Sequence, residues 1–168
     1  MEHSLTLRVA RPDDVTVVDD LLARSYPRLL KADYPPSIMV GLVPLIARAR
    51  PELLASGRYF VVEDAEGRAL GAGGYSMGAR RANGGLRTLA HIRHVATDPD
   101  AIRQGIGRRL MQAIFAAAEA EGVRMYDCLS TRTAVPFYAA VGFSLVGPVE
   151  VPIVPGMRFP ALRMQRRI

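Results

Sequence analysis

The chain has 168 residues, 49% hydrophobic and 23% charged, which is the balance of a globular protein and excludes a disordered or fibrous segment. One cysteine and three histidines exclude an intrachain disulfide and a multi-cysteine metal site, and no stretch approaches the roughly twenty apolar residues that span a bilayer. The formal charge of +6 comes from scattered arginines, with Lys31 the one lysine, so no basic stripe marks a nucleic-acid partner.

These bounds predict one domain over residues 1–168, without internal repeats. Met1 to Arg8 lacks the apolar core of a signal peptide, so a cytoplasmic protein without a membrane partner is expected. Leu5, Leu7 and Val9 alternate with other residues as a half-buried strand does. Pro12-Asp13-Asp14 opens a helix whose apolar face is Val15, Val18, Leu21 and Leu22 and which runs to about Leu30. Pro35-Pro36-Ser37 breaks the chain before a second apolar segment, Ile38 to Ala49, in which Pro44 sets a kink or a boundary. Tyr59 to Glu63 and Ala69 to Met77 pair as an antiparallel hairpin around Asp64-Ala65-Glu66-Gly67, and Gly71, Gly73 and Gly74 mark a bulge. Arg80 to Arg87, with Asn83-Gly84-Gly85, is a flexible connection to a central strand, Leu89 to Thr97. Period-two geometry puts His91, Arg93, Val95 and Thr97 on one face of that strand. Ala90, Ile92, His94 and Ala96 fall on the other, under a helix.

The strand ends in the turn Asp98-Pro99-Asp100, and Gln104-Gly105-Ile106-Gly107-Arg108-Arg109 joins it to a helix with Ile106, Leu110, Ile114 and Ala118 on one apolar face. The glycines sit where the first helical N–H groups have no intrahelical acceptors, a geometry suited to a phosphate or pyrophosphate. Arg103, Arg108 and Arg109 crowd this helix start while Glu119 and Glu121 sit near its end, the reverse of what the macrodipole favours, and a bound polyanion would resolve the conflict. Leu110 stands where a dinucleotide fingerprint needs its third glycine, and Arg108-Arg109 stands where a P-loop needs Lys-Ser/Thr. Arg124 to Leu129 is a further strand, in which Cys128 reads as a buried structural thiol. A short helix from about Thr133 and a strand after Gly142 continue the alternation of an α/β domain. Pro148, Pro152, Pro155 and Pro160 predict short strands near an edge, with Val149 to Val154 and Arg158 to Met164 paired about Pro155-Gly156.

Two of these segments, in this order, carry a resemblance. Ile102 to Gly107 resembles the Gln/Arg-x-x-Gly-x-Gly/Ala pattern of the GNAT superfamily of acyl-CoA-dependent N-acetyltransferases, with Ile102 in place of Gln or Arg. Thr131 to Phe143 resembles the family's Asn-x-x-Ala-x-x-Phe-Tyr-x-x-x-Gly-Phe element. Ala134, Phe137, Tyr138, Gly142 and Phe143 match it, and Thr131 replaces Asn. The resemblance implies an α/β fold with a mixed, mostly antiparallel central sheet flanked by helices, the acyl-CoA N-acyltransferase fold. It implies acetyl-CoA as co-substrate, no metal, and an amine acceptor that is a small molecule or a protein. A homodimer is left open.

By the same resemblance, the amides of Gly105, Ile106 and Gly107 hold the pyrophosphate, with side chains from Arg103, Gln104, Arg108 and Arg109. Val95, Ala96 and Thr97 offer backbone groups to the pantetheine arm and an oxyanion site, and Thr131, Ala134 and Phe137 complete the cofactor site. Tyr138 takes the place of the acid that reprotonates the CoA sulfur, or else is packed aromatic core. His91 stands where many members carry a carboxylate base; an imidazole can take a proton near neutral pH, and a packed or surface histidine is the other reading. Tyr26, Tyr34 and Met39 line the acceptor site or pack in the core. Direct transfer in a ternary complex is implied, and a non-catalytic acyl-CoA-binding module is the alternative.

Overall fold

Seven strands form one sheet in the order β1-β2-β3-β4-β5-β7-β6, in a computed structural model that describes residues 4–79 and 87–168. The strands are β1 Thr6–Val9, β2 Tyr59–Glu63, β3 Ala69–Met77, β4 Leu89–Thr97, β5 Met125–Ser130, β6 Ser144–Val154 and β7 Met157–Arg167. Every neighbouring pair is antiparallel except β4 with β5, which run parallel. The expected mixed, mostly antiparallel sheet is therefore present. The expected connection Arg80 to Arg87 lies outside the described residues apart from Arg87.

Helices cover both faces. Helix α1, Val15–Leu30, follows a single turn of 3-10 helix at Pro12–Asp14. The apolar segment expected at Ile38 to Ala49 is two short helices, α2 Pro36–Gly41 and α3 Val43–Ile46, because Pro44 starts a new helix near its N-terminus, where a missing N–H costs nothing. A further short helix, α4 Pro51–Leu54, precedes β2. Val18, Leu21 and Leu22 of α1 pack with Leu54, Val61 and Ala72 on one face. On the other, Ile106, Leu110, Met111 and Ile114 of α5, Ile106–Ala120, pack with Phe60, Val62 and Tyr126. Strand β2 feeds both layers, which is why its sequence Tyr-Phe-Val-Val is continuously apolar. Helix α6, Val135–Ala140, sits on the α5 side with Tyr138 in the core.

The terminal strands differ from expectation. Each is eleven residues long, and the segment after Gly142 runs without a break into the strand of the final hairpin. Pro148 and Pro152 are accommodated because β6 is the sheet edge, with register shifts at Leu145/Gly147 and Pro152/Val154. Pro160 lies in β7 beyond its last β5 partner, Leu162, so only β6 flanks it there. Among the described residues no helix is long and apolar enough to cross a membrane.

Strand β3 is out of regular register with both of its neighbours near its glycines. Toward β2 the register slips between Val62 and Glu63. Toward β4, Ala72 pairs Ala96 while Gly74 pairs Arg93, so the extra residue belongs to β4. That insertion overturns the period-two assignment for β4, since a bulge exchanges the faces of all residues beyond it. Ala90 and Ile92 face the α5 layer, but Ala96 packs in the α1 layer and Val95 against the α5 layer. His91 and Arg93 therefore do not share a face with Val95, and His94 does not continue the row of Ala90 and Ile92.

Candidate functional site

Strands β4 and β5 pair only at Leu89 to His91 with Met125 to Asp127. Beyond His91 they splay, and the β5-facing backbone of β4 is left without a ladder partner. A cavity of about 750 Å3 occupies the opening. Its walls include Val95, Ala96 and Thr97 from β4, Cys128, Leu129 and Ser130 from β5, and Ser25 and Tyr26 from α1. One end is closed by Arg103, Gly105, Ile106, Gly107 and Arg108, the other wall by Thr131, Ala134, Phe137 and Tyr138. Eleven of the residues expected to hold the cofactor thus line one space, and Tyr138 makes a twelfth. Gln104 is not among them; it faces a separate cavity with Asp64, Asp98 and Asp100. Nor does His91 line this cavity. It stands at the paired end of β4, with Nδ1 3.5 Å from Oδ2 of the buried Asp127, whose Oδ1 accepts from Arg163 Nε at 2.9 Å.

The loop into α5 is built from strained and pinned parts. Asp98 is buried, and its Oδ1 accepts from the Asp100 N–H at 2.8 Å while Oδ2 accepts from Arg24 Nη2 at 3.0 Å and Arg68 Nη2 at 3.2 Å. Burial pushes this carboxyl up, but the Asp100 amide and Arg24 outweigh it and hold its pKa below the usual range. Asp98 is buried while Arg24 and Arg68 are partly exposed, so its loss removes charge-assisted hydrogen bonds without stranding a buried charge, and Asp98→Ala is expected to lower stability by about 1–3 kcal/mol in urea unfolding. A loss below about 0.5 kcal/mol, the range of ordinary surface substitutions, would show that the loop is held otherwise.

Arg103 adopts φ 64 and Gly105 φ 75. A Cβ on Gly105 would meet nothing within 4 Å, and Gly105, Ile106 and Gly107 all line the cavity, so the start of α5 borders open space. Gly107 serves another purpose, because a Cβ there would lie 2.8 Å from Phe137 Cε2. Arg109 turns away, donating from Nη1 to the Leu5 carbonyl at 3.0 Å. The cations left at the cradle are Arg103 and Arg108. At the opposite end of α5, Arg58 pairs with Glu121 at 2.7 Å and Tyr75 donates to the same carboxylate, which offsets the misplaced acid.

At the far end of the cavity three buried groups meet. The Tyr138 phenol is raised well above 10 by burial and by the adjacent Cys128. Burial pushes the Cys128 thiol up to about 12, and Tyr26 likewise to about 12. All three are protonated at neutral pH. Tyr34 and Met39 pack elsewhere, Tyr34 donating to the Pro160 carbonyl at 2.8 Å and stacking near Phe159, so their acceptor-site alternative is not what the structure shows.

Sequence reading missed two members of the site. Ser25 is 1% exposed, and its Oγ is the buried side-chain polar atom without a partner among the described residues. The available signal was a serine at the core-facing position three after Leu22 in the apolar stripe of α1. His94, at φ 49, sits in the β4 bulge and lines the cavity. Its ring accepts at Nε2 from Arg50 Nε, 3.3 Å away, and burial, helped by Arg50 and Arg93 against Glu52, lowers its pKa from 6.5 to about 4. The unfolded chain protonates this ring below pH 6.5 and the folded chain does not until about 4, so it contributes stability that is lost as pH falls through that window. His94→Gln should therefore lose less stability between pH 7 and pH 5 than the parent chain in urea titrations. Equal losses would contradict the assignment.

The model of the acetyltransferase (GNAT) domain family matches residues 55–145. Among solved structures, the chain is similar to a GCN5-related N-acetyltransferase from Rhodopseudomonas palustris, with 20% identity, 100% of this chain and 99% of that chain covered, and a TM-score of 0.79. It is also similar to the PaiA N-acetyltransferase of Thermoplasma acidophilum in complex with coenzyme A, at 13% identity, 98% and 99% coverage and a TM-score of 0.73. A third similar structure, YncA of Salmonella typhimurium with its cofactor acetyl-CoA, has 16% identity, 98% and 94% coverage and a TM-score of 0.66. At these identities the likeness is one of fold. No curated protein matches the chain in sequence.

Proposed function

This chain belongs to the GNAT acetyltransferase family, and we propose that it transfers the acetyl group of acetyl-CoA directly to an amine held in the same complex, residues 1–168 acting as one domain. The observation that carries the reading is the splayed β4–β5 cavity, which runs from an open amide cradle at Gly105 to a protonated Tyr138. Two similar folds were solved with coenzyme A or acetyl-CoA.

The residues fit such a ligand. Amides at the start of α5 and the guanidinium groups of Arg103 and Arg108 would receive its phosphates. The unpaired edge of β4 from Val95 to Thr97 would take the pantetheine amides as a strand partner does, and its N–H groups would also meet the oxyanion. The free Ser25 Oγ would gain the hydrogen bond that it lacks from the same arm. Acetyl-CoA supplies an acyl group activated as a thioester. The chain's task is then to expel water, orient the amine, remove its proton and protonate the departing sulfur. Tyr138 is the proposed donor for the last step, supported by its place in the cavity wall and by a phenol that keeps its proton at neutral pH. The base expected at His91 is not in the cavity wall, and beside Asp127 at the paired end of β4 it is proposed to take the amine's proton only through intervening water. His94 is a poor base, because Arg50 already occupies Nε2 and its affinity for a proton is low.

The test is amine-dependent thiol release from acetyl-CoA, with the product identified by mass. Release that requires both protein and amine is expected. Tight binding without release across a broad amine panel would convert the reading to a binding module.

A further inference from the structure

A second cavity, of about 460 Å3, lies behind the bulge and shares His94 with the first. It is lined by Arg50, Arg93, Ser76 and Arg58, with Glu52 at its exposed rim. Arg58 is neutralised by Glu121. Arg50 and Arg93 have no carboxylate within 4.0 Å among the described residues. Each is instead fixed through Nε by a neutral partner, Arg50 by His94 Nε2 at 3.3 Å and Arg93 by Ser76 Oγ at 2.9 Å. Among the described residues their terminal N–H groups have no protein acceptor, the state in which guanidinium binds a planar or tetrahedral anion best. Two guanidinium groups face the space and Glu52 on the rim offsets part of their charge.

Resting on the transferase reading above, we propose that this second cavity is the acceptor site and that it takes a small amine bearing an anionic group, carboxylate or phosphate, held by Arg50 and Arg93. The volume is in the range of small-molecule pockets. His94 lines both cavities, so they are neighbours on either side of it. A binding partner with negative charge would also relieve the repulsion between two guanidinium groups facing one space.

The test uses the full chain saturated with CoA and pairs of amines that differ only in the anionic group: L-amino acids and their methyl esters, longer ω-amino acids and their esters, and O-phosphoethanolamine against ethanolamine. Calorimetry should show at least one anionic series binding at least about tenfold more tightly than its neutral partner, and the series that does so separates carboxylate from phosphate. Arg50→Met and Arg93→Met, which keep the aliphatic stems, should each erase most of that preference while CoA affinity stays within about twofold of the parent, since neither lines the donor cavity. Equal binding of acids and esters, no binding of any anionic amine, or equal loss of both classes in the arginine variants would overturn the proposal. The same titrations run without CoA keep the two readings apart, because loss of CoA binding alone would refute the transferase reading and still leave the anion preference measurable.

Discussion

Tyr138→Phe is expected to lower kcat by about 100-fold or more while CoA affinity changes by less than about threefold. The phenylalanine keeps the ring that packs edge-on against Phe137 and Phe143, at centroid separations of 5.2 Å and 5.4 Å, so the core of α6 should survive. What is lost is one hydroxyl beside Cys128 at the far end of the cavity. If that hydroxyl only satisfied the thiol, the cost would appear as a modest loss of stability and turnover would persist. If it protonates the departing sulfur, kcat and kcat/KM should fall together, because the contact is made in the transition state alone. Parental turnover in the variant would remove Tyr138 from the chemistry.

The second large effect separates two glycines that look alike in sequence. Gly105→Val places a branched side chain at φ 75, where an L residue is strained by roughly 1–2 kcal/mol, but it meets no protein atom. Folding should weaken slightly, and CoA affinity should fall at least about thirtyfold because the side chain covers the amides that receive phosphate. Gly107→Val instead drives a methyl-bearing carbon into the Phe137 ring. Overpacking of that kind costs about 1–3 kcal/mol, or several degrees in Tm, and Phe137→Leu in the same chain should recover most of it. Paired thermal melts and CoA titrations distinguish the two. A Gly105→Val chain that binds CoA like the parent would mean that the cradle is not the phosphate site.

Much of this was legible because it depends on local pattern. The strand, turn and helix around Gly105 follow from alternation, from Asp98-Pro99 and from a four-residue apolar repeat, each decided within a few residues. The order of the two motifs then placed Tyr138 beside the same cavity. The failures share a cause: they depend on partners distant in sequence. The bulge at His94 arises where β3 and β4 fall out of register, and nothing in Arg93-His94-Val95 announces it, since histidine is not a residue that requires positive φ. One inserted residue was enough to reverse the assignment of Val95 and Ala96. Asp98 reads as a turn former, whereas its burial between Arg24 and Arg68 exists only once α1 and β3 converge on it. The terminal prolines suggested short strands because the edge position of β6, which accommodates them, is a property of the whole sheet. Ser25 was the exception that could have been found, as a polar residue in an apolar stripe.

The proposed transfer requires the splayed strands and the open start of α5 to form a site for the phosphates and arm of coenzyme A. Titrating CoA into the full chain by calorimetry tests this directly. One molecule per chain is expected to bind, with an affinity that falls as salt rises because Arg103 and Arg108 share in holding the phosphates, and with dephospho-CoA still bound through the pyrophosphate. A well-folded chain that releases no heat with CoA at millimolar concentration would contradict the account.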